Sequence, residues 1–188
     1  MVESESTDGT NLVCDNYAKK YDRIQVIHTK KEGITKATNT GIRAAGDLDV
    51  YLTQDDVILP DLYRRDWLDI LVRVAEFKKK DKDFGVITTI NGGGISGPTY
   101  VDKMQWVGTW SLFLQRKTIN KIGLFDEGFG VGPGDDIDYS YRLSQAGLKI
   151  IVVNFWVDHH RMTENFNDKL SDVYKRNSKY FKKKWGLK

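Results

Sequence analysis

The sequence of 188 residues contains a single cysteine, Cys14, and three histidines. A lone cysteine excludes an internal disulfide and every metal site built from several thiolates, and it suits a reducing compartment. Long hydrophobic runs are also missing. The longest, about Ile150 to Val157, has the length of a strand and falls far short of the ~20 residues of a membrane span. The opening MVESES lacks the basic and then apolar profile of a secretory signal, and neither an internal repeat nor a low-complexity linker interrupts the chain. An excess of one charge is absent too: 29 Lys and Arg against 26 Asp and Glu leave a net +3. The molecule is therefore no polycation, and nucleic acid is not an expected partner. These absences predict a cytoplasmic protein, at most peripheral to a membrane.

What remains, 40% hydrophobic and 29% charged residues, is the make-up of one globular domain over residues 1–188 with a core to bury. Val2 to Ser4 reads as the end of a strand, followed by a helix with Val13, Tyr17 and Tyr21 on one face. Ile24 to His28 reads as a strand, and Gly33 opens a small-residue helix in which Ala37, Gly41 and Ala44 or Ala45 share a face. Pro60 begins a long helix with Tyr63, Trp67, Ile70, Leu71 and Val74 as its stripe. Phe84 to Ile90, Trp106 to Leu114 and Lys149 to Val157 read as strands, and the glycine-rich run 91–100 between the first two as a lid-like loop. Lys117 to Ile122 is a short helix stopped by Gly123. The tail over 164–188 has Leu170, Tyr174, Phe181 and Trp185 at helical spacing, with lysines elsewhere. Strands alternating with helices predict an α/β fold.

Two acidic stretches carry the chemistry. In YLTQDDVILP, Tyr51 to Pro60, a strand delivers Asp55 and Asp56 to its carboxyl end, where open α/β sheets meet their ligands. Taken alone, the pair could be no more than a helix cap. The second stretch, GFGVGPGDDIDYSYRLSQAGLK, places Asp135, Asp136 and Asp138 at a helix start behind Gly128, Gly130, Gly132 and Gly134. A phosphate cradle is excluded there, because the acids put negative charge where an anion would sit. One acid could be an N-cap; three call for more. Together the five carboxylates could hold a divalent cation and leave one acid free as a base, and hard oxygen donors favour magnesium or manganese. His159 or His160, at the end of a late predicted strand, is a further candidate ligand.

Several stretches, in order, resemble family 2 glycosyltransferases of the GT-A fold. VESESTDGT resembles that family's second strand and turn, placing contact with the nucleotide base on Glu3. GITKATNTGIRAAGD resembles the helix before the metal strand, with Lys36 and Asn39 on the nucleotide side. LTQDD resembles the Asp-x-Asp metal motif, with Thr53 in the first Asp place, Asp55 in the second and Asp56 in support. A threonine hydroxyl there can bond a ribose or a metal-bound water but is a poor charge partner. WVGTWSLFLQR resembles the acceptor segment, in which Trp106 and Trp110 offer flat faces to a sugar ring, although tryptophans in such a run are as often core. GDDIDYSYRL resembles the Glu-Asp motif, making Asp136 the catalytic base with Asp135 in the Glu place, and VDHHRMT resembles the late metal segment, with His159 the better fit and His160 the alternative.

The resemblance spans about Val2 to Thr163. It implies a GT-A, Rossmann-like, mostly parallel mixed sheet flanked by helices. The implied activity is inverting, metal-dependent hexosyl transfer from a nucleotide-diphosphate sugar to a hydroxyl on a glycan, protein or lipid-linked acceptor, with Mn2+ or Mg2+ as cofactor. The family's first strand and helix have no counterpart, which implies a compact form such as some archaeal viruses encode. Loss of that unit and Thr53 would also suit a catalytically inactive sugar- or nucleotide-binding module. A metal-dependent phosphate hydrolase is disfavoured by the absence of a nucleophilic Cys and of a second histidine-rich set. For the tail, lysines interleaved with aromatics predict weak contact with an anionic membrane surface, set against a helix that only packs on the domain.

Overall fold

The computed structural model describes residues 1–59, 67–89, 105–130, 133–153, 157–160 and 170–188. Pro60, Tyr63, Ile90, the glycine-rich run 91–100, Gly132 and residues 164–169 of the tail therefore lie outside the described residues, as does the side chain of Leu170. Eight strands and six helices follow one another along the described chain. Strand β1 (Val2–Glu3) leads to α1 (Thr10–Lys20), β2 (Ile27–His28), α2 (Ile34–Ala44), β3 (Val50–Thr53), β4 (Val57–Ile58) and α3 (Trp67–Lys78). Then come β5 (Phe84–Thr89), β6 (Ser111–Leu114), α4 (Arg116–Ile122), α5 (Asp135–Gln145), β7 (Lys149–Val153), β8 (Asp158–His159) and α6 (Leu170–Trp185). A 3-10 turn, Glu127–Phe129, precedes α5.

The central sheet has the order β3-β6-β5-β7. Strand β6 runs antiparallel to both neighbours while β5 and β7 are parallel, so three of the four strands point the same way. This is a mixed sheet within the α/β fold that the alternation of strands and helices predicts and the family resemblance implies. Unlike a half-exposed strand, β5 is buried at all six positions, because helices cover both faces. On one face Ile42 of α2, Ile119 of α4 and Tyr139 and Leu143 of α5 pack with Val86, Leu112 and Leu114. On the other, Leu71 and Ala75 of α3 pack with Phe84, Ile87 and Phe113. Phe84 and Ile87 reach the same face despite their odd spacing because the β5–β7 register shifts between Phe84 and Val86. A Cβ on Gly85 would stand 2.7 Å from the Lys149 carbonyl, so the shift needs glycine.

Four expectations change. The Val13, Tyr17 and Tyr21 face of α1 is not core: α1 buries no residue, Val13 and Tyr17 are exposed, and the two tyrosine rings stack on each other at 6.1 Å. In α2 the inward face is Thr35, Asn39 and Ile42, with only Gly41 of the small-residue set close to β1, 3.4 Å from Val2 by its absent Cβ. Polar Thr35 and Asn39 point inward because partners await them, Asp135 at the start of α5 for Thr35 and Phe125 and Glu127 before α5 for Asn39. In the tail, Phe181 is buried as expected, but Tyr174 is exposed, and Val173 and Asn177 complete the inward stripe. Finally, of the predicted strand Lys149–Val157, β7 accounts for Lys149–Val153, residues 154–156 lie outside the described residues, and Asp158–His159 beyond it forms β8, which pairs with β4.

The carboxyl ends of β3 and β5 and the amino end of β6 meet at one edge, since Thr53 pairs with Ser111 and Thr88 with Leu112. Ser111 is fully buried there. Its Oγ lies 2.9 Å from both the Tyr51 hydroxyl and Thr89 Oγ1, and its carbonyl accepts from Thr88 Oγ1 at 2.8 Å. This satisfied polar floor underlies the candidate site.

Candidate functional site

The short β4–β8 ribbon builds one half of the site. Its register sets Val57 against His159, and the His160 amide donates to the Asp56 carbonyl at 2.8 Å. The result places His159 Nε2 3.3 Å from Asp56 Oδ2. Asp56 Oδ1 is buried with no hydrogen-bond partner among the described residues. A carboxylate oxygen left in that state is costly unless something else binds it, so a cation beside Asp56 and His159 fits the donors present. Among the described residues no set of three or more His, Cys, Asp or Glu is arranged to hold a metal. Asp55 is exposed, as is Thr53, whose hydroxyl donates only to the neighbouring Gln54 carbonyl at 3.5 Å. His160 turns away and pairs with Asp158 at 3.0 Å on the surface. Of the two histidines, the structure therefore brings His159 to the acidic strand end, and it meets Asp56 rather than Asp55.

The His159 ring is fixed by stacking on Trp110, centroids 4.7 Å apart and planes 20° apart. A Cβ on Gly108 would overlap the Trp110 ring at 2.3 Å, so glycine lets that ring lie against the backbone. Trp110 meets Trp106 edge-on at 5.7 Å. Trp106 in turn packs against the cluster of Phe129, Ile137 and Phe181, and its Nε1 is a buried donor with no partner among the described residues. One face of Trp110 is thus committed to His159 and cannot serve as a sugar platform. The two tryptophans form an aromatic wall running from the Asp56–His159 pair to the start of α5.

That start is the second half. Asp135, Asp136 and Asp138 are all buried, an unusual density of carboxylates. Asp135 accepts from Thr35 Oγ1 at 2.8 Å and from the Asp136 amide at 2.9 Å. Asp136 Oδ1 accepts the Ile137 amide at 2.8 Å and the Gly134 amide at 3.3 Å. Asp138 is held by Arg142 Nε at 2.9 Å, Lys184 Nζ at 2.7 Å and Trp185 Nε1 at 2.9 Å. The three acids therefore differ in kind. Asp138 is neutralised by two cations, whereas burial and then the Asp135 charge push the Asp136 carboxyl up to about 7. Burial likewise raises Asp135. A carboxyl titrating near neutrality is suited to accept a proton.

Gly134 has φ +134°, a backbone open to glycine, and this supplies the bend expected of the glycine run. Ser140, one turn into α5, accepts from the Val107 amide and donates to the Asp136 carbonyl, at 2.9 and 2.7 Å, tying the acids to the aromatic wall.

The residues assigned to the nucleotide side are more dispersed. Glu3 is buried and engaged: it accepts from the Ser6 amide at 2.6 Å and meets His28 Nδ1 at 2.9 Å, while His28 Nε2 reaches Asp15 at 2.9 Å. The amide of Ser6 and then His28 hold the Glu3 carboxyl down at about 2. Glu3 thus braces β1 against β2, where it already has partners. Asn39 is fully buried, exchanging hydrogen bonds with both backbone groups of Phe125 at 2.9 and 3.0 Å and donating to Glu127 at 2.9 Å. Its carboxamide thereby ties α2 to the segment before α5. Lys36 is half exposed, paired with Glu32 at 3.0 Å, and lines a pocket of about 260 Å³ with Thr29, Lys30, Thr40 and Arg43.

Comparison with known proteins bears on the whole. The family profile Glycosyl transferase family 2 matches residues 1–132, well over half of the chain. The chain belongs to glycosyl transferase family 2. In Bacillus subtilis (strain 168), the glycosyltransferase EpsH is 36% identical over 62 residues, and the uncharacterized glycosyltransferase EpsJ is 33% identical over 66. Those alignments cover 32% and 35% of this chain but only 18% and 19% of the relatives. Among solved structures, the mannosyltransferase PcManGT from Pyrobaculum calidifontis, in complex with GDP-Man and Mn2+, superposes with a TM-score of 0.60 at 20% identity, covering 81% of this chain and 44% of that one. GalNAc-T7 with UDP, GalNAc and Mn2+ gives 0.66 at 16% identity, covering 95% and 40%. The fold of this family 2 chain is thus the GT-A fold of those glycosyltransferases.

Sequence reasoning missed Thr35, Ser140, Lys184 and Trp185. Lys184 read as one more lysine of a solvated run, and no spacing signal tied it to Asp138, 46 residues away by their numbers. Thr35 lies next to Lys36 in a stretch already singled out, so a buried-face reading of α2 could have found it.

Proposed function

We propose that the chain transfers a hexosyl group from a nucleotide-diphosphate sugar to a hydroxyl acceptor, with inversion and with Mn2+ or Mg2+ bound. The observation carrying this reading is the division of labour at the sheet edge: an Asp56 oxygen with no partner among the described residues, beside His159 at one end of the aromatic wall, and a carboxyl titrating near 7 at the other. Asp56 and His159, with Asp55 exposed beside them, would hold the cation, which supplies charge stabilisation to the departing diphosphate. The remaining work falls to the chain's own groups. Asp136 takes the proton of the acceptor hydroxyl as the new bond forms, and Asp135, held by Thr35, keeps that proton affinity high. Trp106 offers its Nε1, which has no partner among the described residues, to a sugar hydroxyl, and the wall excludes water. The bound ligands of the two solved relatives support a GDP- or UDP-linked donor, and Mn2+ as the first cation to try.

The test is a panel of GDP- and UDP-sugars with Mn2+, following nucleotide release and ligand-induced melting shifts. Release that requires an added hydroxyl acceptor is expected. A melting shift with no release under any donor and acceptor would instead mark an inactive binding module.

The acceptor side has one further support. Helix α6 turns Val173, Asn177 and Phe181 inward and leaves Lys175, Lys179, Lys182 and Lys183 around the exposed Tyr174. Such a face suits weak docking on an anionic bilayer or a lipid-linked acceptor, at about 1 kcal/mol per lysine near the surface. Cosedimentation with phosphatidylserine-containing vesicles but not with neutral ones is the expected result; equal recovery with both would remove the docking.

A further inference from the structure

Helix α6 lies beyond the residues matched by the family profile, yet it grips the acidic segment at several points. Asp138 is completely buried, and such a charge is destabilising unless it is fully paired. Arg142, one turn along the same helix, satisfies Oδ2 at 2.9 Å. The other oxygen depends on α6, through Lys184 Nζ at 2.7 Å and Trp185 Nε1 at 2.9 Å. The same Lys184 Nζ reaches Asp126 Oδ2 at 2.7 Å, and the Tyr180 hydroxyl donates to that oxygen at 3.1 Å. Asp126 in turn fixes the turn before α5, accepting the Gly128 amide at 2.8 Å. Higher on α6, Asn177 donates to the Pro133 carbonyl at 2.7 Å, immediately before Gly134.

The glycines complete the fit. A Cβ on Gly128 would sit 2.2 Å from the Tyr180 hydroxyl oxygen, and one on Gly134 would meet the Phe129 ring at 2.7 Å and Asn177 at 3.3 Å. Glycine at these places therefore admits α6 as well as bending the chain. Apolar contact supports the polar grip: Phe181 is fully buried and Trp185 packs edge-on against Tyr141 at 4.7 Å.

We propose that α6 is the strut that fixes the acidic start of α5, with Lys184 and Trp185 as positioning residues for the Asp135–Asp136 pair. The kinetic consequence rests on the reading of Asp136 as base; the strut itself does not. Lys184→Met, made in the full chain, should speed hydrogen exchange at the amides of Ile137 and Asp138 by about tenfold or more while β5 and β7 keep their protection. In transfer assays it should lower kcat by about tenfold with donor KM within about twofold, and Lys184→Arg should recover most of that loss. Trp185→Phe keeps the ring against Tyr141 and removes only the donor, so the same changes should appear at about threefold; it stands in if Lys184→Met fails to fold. Unchanged exchange over 134–138 overturns the strut, whatever happens to turnover. Faster exchange with unaltered kcat leaves the strut standing and removes Lys184 and Trp185 as positioning residues for turnover, while the identity of the base is decided separately by Asp136→Asn.

Discussion

Replacement of Asp136 by Asn should lower sugar transfer by roughly a hundredfold or more, with donor binding changed by less than about twofold. The substitution keeps size and can still accept the Ile137 and Gly134 amides through its carbonyl oxygen, but it cannot take a proton. Because burial and Asp135 push this carboxyl to about 7, the transfer rate of the wild type should rise with pH through that region and level off above it. Stability should move the other way. The unfolded carboxyl loses its proton near 3.8 whereas the folded one keeps it to about 7, so the folded state binds more protons between those values and its stability falls as pH rises across them. Asp136→Asn removes that penalty. The variant should be more stable than wild type at pH 8, by an amount on the order of a few kcal/mol, and no more stable than wild type at pH 3. Near-normal transfer in the variant would exclude Asp136 and leave Asp135 as next candidate, since Asp138 is taken by Arg142, Lys184 and Trp185.

A gain in stability paired with a loss of turnover is what a strained functional group produces, and it explains which parts of the site could be read from the sequence. Order along the chain and element type were legible where local signals were strong: the strand β3 that ends at Thr53 just ahead of Asp55 and Asp56, though not the turn and the strand β4 that follow it, the helix opened by Gly134 and closed by Gly147, and the short helix stopped by Gly123. The convergence of His159 on the acidic pair was inferable because both lie at strand ends, yet the choice of Asp56 over Asp55 depends on the β4–β8 register, which two-residue strands do not announce. Asn39 illustrates the converse. Its place in a family-like stretch pointed to the nucleotide, whereas its carboxamide is consumed by Phe125 and Glu127, partners more than eighty residues away. The exposed apolar face of α1 was illegible for a related reason: periodicity marks which residues could pack together, and packing needs a surface to meet them.

At the other end of the wall, Asp56→Asn should abolish the rise in melting temperature that Mn2+ gives the wild type and weaken Mn2+-dependent nucleotide binding by tenfold or more, roughly the cost of losing one charged ligand. The variant keeps the shape of the side chain and its reach to His159, so the fold should survive. In the metal-free protein it should even be neutral or slightly stabilising, because an amide left partly unpaired is cheaper to bury than a carboxylate oxygen that has no partner among the described residues. His159→Gln should weaken the same Mn2+ response while leaving Trp110 without its stacked partner, a change visible in tryptophan fluorescence. His160→Gln, on the surface with Asp158, should do neither. Asp55→Ala separates the two carboxylates: a loss as large as that of Asp56→Asn makes both ligands, and an unchanged response assigns the cation to Asp56 and His159 alone. A full Mn2+ response in Asp56→Asn would dismiss the pair as a cation site and leave Asp56 as a turn carboxylate that merely pins β4 to β8 through His159.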